Sequence, residues 1–107
     1  MQHDKTTALN NAKKYAILIG EKINPLKIIL YGSYANGNHN VNSDIDIAVI
    51  VENIPDNYLE LAIMLNKLTR TIDNRIEPLL LEENDDRSGF LSTIISKGIT
   101  LFERPVS

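Results

Sequence analysis

Two spacings of apolar residues take turns along this chain, and their order limits the fold more than any other feature. Leu9, Ala12, Ala16, Ile19 and Ile23 recur three and four apart, which places them on one stripe of a helix; Thr6 or Thr7 is positioned to cap its start and Pro25 to stop it. Residues 26–31 then read Leu-Lys-Ile-Ile-Leu-Tyr, a short run suited to a strand that ends on Gly32. Glycine and asparagine crowd positions 32–43, supplying turns and room for one short helical turn. A second strand is expected over 44–51, where Asp44 and Asp46 alternate with Ile45 and Ile47.

Pro55 and Asp56 open a second long helix, with Tyr58, Ala62, Leu65, Leu68 and Ile72 down one side and an end near Asn74. A third strand over 76–81 contains Pro78, whose missing N–H favours a sheet edge. The acidic run Glu82, Glu83, Asp85 and Asp86 reads as a solvated loop. Ser88 is placed to cap a third helix carrying Phe90, Leu91, Ile94 and Ile95, Gly98 suits its exit, and 99–102 forms a last strand. The order α-β-turn-β-α-β-α-β predicts an α/β (α+β) fold, a small mixed sheet with helices packed on it, in one domain over residues 1–107.

Composition narrows the chemistry. At 107 residues, 43% apolar and 23% charged, the chain matches an ordinary globular domain with one core. Cysteine is absent, which excludes disulfides, thiolate zinc sites and cysteine nucleophiles, so any metal must sit on oxygen or imidazole. A net charge of −3 gives no broad basic surface for a long phosphate backbone, while leaving open a small anionic ligand in a local pocket. No apolar run approaches the roughly 18 residues of a membrane span, and residues 1–7 are too polar for a signal peptide; a cytoplasmic protein is expected.

The segment that carries chemistry is Gly32-Ser33, ten further residues, and then Asp44-Ile45-Asp46. Residues two apart on a strand leave the same face, so Asp44 and Asp46 project in parallel with Cα atoms roughly 6.5 to 7 Å apart. An acid on a neighbouring strand would complete a cluster of three, and Glu77 is the best placed. Two carboxylates roughly 5 Å apart repel by about 3 kcal/mol at an effective dielectric of 20, so such a cluster calls for a divalent cation. Hard oxygen donors favour Mg²⁺ or Mn²⁺, and Mg²⁺ completes its shell with water and substrate phosphates, which implies a nucleoside triphosphate. Two such ions would hold the attacking and departing oxygens of an in-line displacement at phosphorus. Gly32 and Ser33, where a strand ends, would offer backbone N–H groups and a hydroxyl to the β- and γ-phosphates.

Other motifs fail. Gly32 and Gly37 have P-loop spacing, but Asn38 and His39 stand where Lys and Ser or Thr would bind phosphate and Mg²⁺. His3 and His39 have no second histidine at ligand spacing and read as surface residues. Tyr34 and Tyr58 have the chemistry to stack on a base and are equally explained as amphipathic packing.

Tyr31-Gly32-Ser33-Tyr34-Ala35-Asn36-Gly37 and Ser43-Asp44-Ile45-Asp46-Ile47-Ala48-Val49 resemble the signature of the DNA polymerase β-like nucleotidyltransferase superfamily, in its minimal nucleotidyltransferase branch. The resemblance implies a mixed sheet with Gly32 and Ser33 at the triphosphate, Asp44 and Asp46 as ligands of two Mg²⁺ ions, and Glu77 as the third acid and acceptor base. It implies transfer of AMP from ATP to a hydroxyl, with release of pyrophosphate. Members of this branch are paired with HEPN-domain toxins as antitoxins, so a tyrosine of such a partner is the implied acceptor. Two other outcomes stand beside it: a non-catalytic antitoxin that retains the fold, and an adenylyltransferase of small antibiotics that forms its pocket as a homo-oligomer. Members often carry arginine in the turn where this chain has Tyr34 and Asn36, which leaves Arg75 as a candidate phosphate cation.

Overall fold

The computed structural model describes residues 3–40, 43–86 and 88–105, with the side chains of His3 and Asp4 left aside. The described elements run α1 (His3–Ile23), β1 (Lys27–Tyr31), α2 (Ser33–Asn36), β2 (Ile45–Val51), α3 (Tyr58–Thr69), β3 (Ile76–Glu82), α4 (Phe90–Lys97) and β4 (Ile99–Glu103). The strands form one mixed sheet in the order β3-β2-β1-β4, β1 being antiparallel to both neighbours and β2 parallel to β3. This is the architecture the alternating pattern predicts. β3 lies at an edge, where Pro78 is tolerated because half of an edge strand's N–H groups have no partner to lose.

The sheet separates two apolar layers. Ile45, Ile47 and Val49 of β2 join Ile28 and Leu30 of β1 against Ala12, Tyr15, Ala16 and Ile19 of α1 and Leu65 of α3. The intervening residues Ala48 and Ile50, with Ile29 of β1, face Leu91 and Ile94 of α4. The Tyr15 hydroxyl, buried between helices, donates to the Leu65 carbonyl at 2.7 Å, so its burial leaves no polar group stranded. No helix among the described residues is long and apolar enough to cross a membrane.

Several local expectations change. α1 begins at His3, ahead of Thr6 and Thr7, which stand exposed inside the helix and do not cap it. α3 ends at Thr69, five residues before Asn74. Beyond it Thr71 and Ile72 bond back three residues, to Leu68 and Thr69, the tighter winding in which β-branched residues close a helix. Ile72 still packs on the core, so the periodicity outlasts the helix. Asp44 lies one residue outside β2.

At α4 the acidic run proves to be more than a solvated loop. The Asp86 carboxylate accepts the backbone N–H of Leu91 at 2.8 Å and of Ser92 at 3.2 Å, as well as the Ser92 hydroxyl. Those bonds, the Ser92 hydroxyl foremost, hold the Asp86 carboxyl below its ordinary range. Ser88 adds one longer bond, accepting from the Phe90 N–H at 3.3 Å. At the other end a Cβ on Gly98 would meet the Ile94 and Leu30 carbonyl oxygens at 2.6 and 2.8 Å, so glycine is what lets α4 turn directly into β4 against the sheet.

Candidate active site

Parity along β2 decides which face the acids use. Asp46 is in step with Ala48 and Ile50, so it leaves the sheet on the α4 side. Tyr31, the last residue of β1, pairs across from Asp46, and Glu77 on β3 pairs with Asp46 from the other side. Residues paired in register project to the same face, so Tyr31, Asp46 and Glu77 form a row across one end of the sheet. Asp44 and Glu77 are exposed and Asp46 half-buried.

Burial foremost, then the charges of Asp44 and Glu77, push the Asp46 carboxyl above its ordinary range. Burial and the charges of Asp46 and Glu77 do the same to the Tyr31 hydroxyl. These carboxylates therefore sense one another.

Gly32 closes this row. Its φ of 75° lies in the left-handed region, and a Cβ there would fall on the Asp46 carboxylate. Only glycine lets the turn pass so close to that acid. The Gly32 carbonyl accepts from the N–H groups of Ala35 and Asn36, both at 3.1 Å, starting α2, and no side chain caps it. Ser33 is the first residue of α2, and among the described residues nothing bonds its hydroxyl.

Among the described residues no three acids or histidines stand close enough to make a ready metal cage. The donor chemistry nevertheless fits a hard divalent cation. Oxygen ligands gather at one open end of a sheet, and Mg²⁺ characteristically takes one or two carboxylates and completes its shell with water and phosphate.

The Arg75 guanidinium, a candidate phosphate cation, is engaged by an acid and a hydroxyl. It is forked onto Asp73, Nε to Oδ1 at 3.1 Å and Nη2 to Oδ2 at 2.9 Å, and Nη1 donates to the Tyr34 hydroxyl at 3.0 Å. Asp73 also accepts the Arg75 N–H at 3.0 Å and the Asn11 amide of α1 at 3.0 Å. These bonds, the Arg75 side chain first, hold the Asp73 carboxyl below its ordinary range. The network ties α2 to the start of β3.

Tyr34 is correspondingly unavailable for stacking on a base. It is buried, stacks on His39 at 4.5 Å between ring centroids, and donates to the Asn40 carbonyl at 3.3 Å. Tyr58 opens α3, on the other side of the sheet from the acids, and is exposed, belonging to neither apolar layer, so the packing expected of it is not found.

The aromatic side chains beside the acids are Tyr31 and Phe90, whose rings meet edge to face at 5.9 Å. Next to them a groove of about 160 Å³ opens between α2 and α4, walled by Tyr31, Gly32, Ala35, Phe90 and Ile94 and reached by Lys97. The sequence signal for it was the spacing of Phe90, Ile94 and Lys97 on one stripe of α4, which reads as an ordinary core face.

The family model described as "Polymerase beta, Nucleotidyltransferase" matches residues 13–106. Among solved structures, a candidate nucleotidyltransferase from Sulfolobus solfataricus superimposes with a TM-score of 0.69 at 19% identity, over 95% of this chain and 86% of that one. A toxin–antitoxin solved with AMP-PNP gives 0.63 at 26% identity, over 85% and 73%. A mutant of the toxin–antitoxin MntA-HpeT carrying two aspartate-to-glutamate changes gives 0.62 at 24%, over the same 85% and 73%. No curated protein sequence matches the chain. With its mixed sheet, its glycine turn against Asp46 and a family match over nearly its whole length, the chain belongs to the polymerase β nucleotidyltransferase family.

Proposed function

We propose that this protein transfers AMP from ATP to an acceptor hydroxyl, releasing pyrophosphate, and that the acceptor is a tyrosine of a HEPN-domain toxin partner. One observation carries the reading: Asp46 and Glu77 stand in register on one sheet face, with the Gly32 turn pressed against Asp46. The likeness to a toxin–antitoxin solved with AMP-PNP supports the adenine nucleotide and the partner class.

In this reading Gly32 and Ser33 bind the β- and γ-phosphates, Ser33 donating its hydroxyl to a phosphate oxygen. Asp44, Asp46 and Glu77 are the ligands of two divalent cations, Mg²⁺ or Mn²⁺. Those ions, when bound, supply the Lewis-acid charge that stabilises in-line displacement at phosphorus. Glu77, the outermost acid, takes the acceptor's proton as the new O–P bond forms and the bond to pyrophosphate breaks.

A non-catalytic interaction module is the second reading, favoured by one fact: no preassembled three-acid cage exists among the described residues. The two separate in one experiment. Labelled ATP, Mg²⁺ and the product of the adjacent gene are incubated with the protein and read by intact mass. Enzymatic transfer adds one AMP to the partner and is lost in Asp46→Asn. A stable complex whose partner stays unmodified would overturn the catalytic reading.

A further inference from the structure

We propose that the groove between α2 and α4 holds the base of the donor nucleotide, with the Phe90 ring as its stacking surface and Lys97 as the donor to its edge. The inference rests on the reading of Gly32, Ser33 and the acids as the triphosphate end of the site. Gly32 is at once a wall of this groove and the neighbour of the Asp46 carboxylate, so a nucleotide anchored at the turn has the groove beside it.

Size and lining choose which part enters. About 160 Å³ is below the roughly 300 to 1,000 Å³ of pockets that enclose a whole ligand, so the groove takes one moiety. Tyr31, Ala35, Phe90 and Ile94 make its walls mainly apolar, which suits a flat base and penalises the charged phosphates. Phe90 is 43% exposed, an uncovered aromatic ring whose edge-to-face contact with Tyr31 fixes its orientation. Lys97, two helical turns along the same stripe of α4, makes no ion pair among the described residues. An ammonium only donates, so it pairs with ring nitrogens or carbonyl oxygens at the base edge.

The test compares ATP with inorganic tripolyphosphate, which lacks a base, by calorimetry in Mg²⁺. Phe90→Ala should weaken ATP binding about tenfold, the scale of one lost base–aromatic stack, and leave tripolyphosphate within about twofold. Lys97→Met should weaken ATP several-fold and leave tripolyphosphate unchanged. Phe90→Leu, which keeps the bulk without the aromatic face, should lose ATP affinity while melting like the wild type. Wild-type ATP affinity in all three variants would overturn the groove assignment and leave the acid site standing. Equal losses for both ligands would place Lys97 on the phosphates and also overturn it. If the wild type binds neither ligand, the groove assignment and the nucleotide reading fall together.

Discussion

Toward α1 and α3, β2 presents Ile45, Ile47 and Val49, each fully buried; toward α4 the same strand presents Asp46, Ala48 and Ile50, and Asp46 stays half open. The first face is covered by helices of 21 and 12 residues, the second by one of 8, whose Phe90 reaches Tyr31 in the acid row and leaves Asp46 half-buried. Alternation along one strand thus lets neighbouring residues serve different ends. A side chain on the covered face is fixed by packing, whereas one on the other face keeps the solvent and ligand access that chemistry needs.

The largest effect should come from the covered face. Ile47→Ala removes buried volume between sheet and helices and should cost about 2 to 5 kcal/mol in denaturant unfolding. Its neighbour Asp46 should behave oppositely. Asp46→Asn relieves crowding among carboxylates, so stability should hold or rise, while transfer should fall by at least about 100-fold. A mild Ile47→Ala together with an unfolded Asp46→Asn would reverse the assignment of the two faces.

The Asp73–Arg75–Tyr34 network ties α2 to the start of β3, and its loss should be intermediate. Arg75→Ala leaves a largely covered carboxylate without its partner and should cost about 1 to 3 kcal/mol. Because the folded-state carboxyl of Asp73 lies below its unfolded value, its contribution is present above about pH 4 and lost as pH falls through the folded value. Melting curves against pH should show Asp73→Asn less stable than wild type at pH 7, with the gap closing in acid. A constant gap would mean the ionised form is not what stabilises the network.

Ser33→Ala should be the smallest change. It removes one neutral hydroxyl, for about 0.5 to 1.5 kcal/mol of transition-state binding, and leaves melting unaltered because that hydroxyl caps nothing among the described residues. A clear loss of melting temperature would make Ser33 a structural residue.

Much of this was legible in local pattern. Pro78 marked an edge strand, the alternation at Asp44–Ile47 marked β2, and the asparagine-rich stretch allowed the single helical turn found at Ser33–Asn36. What was not legible depends on pairing between distant segments. Glu77 could be named as the third acid from its strand, but it shares a face with Asp46 only because β3 runs parallel to β2 in a particular register, which no spacing within either segment states. Arg75 was a candidate phosphate cation by its position, and its partners Asp73 and Tyr34 became visible only once β3 and α2 met. Helix ends were obscured for another reason. Asp86 reaches α4 from beyond a glycine turn, so the cap stands farther upstream than the usual pattern places it.

The most direct test is calorimetric titration of ATP into the wild type and Glu77→Gln, with Mg²⁺ and with chelator. If the open end of the sheet is a metal–nucleotide site, the wild type binds ATP only with the ion. Glu77→Gln then stays within a few-fold of that affinity while pyrophosphate release in the presence of acceptor is suppressed. Equally tight ATP binding with and without Mg²⁺ would contradict the assignment of Asp44, Asp46 and Glu77.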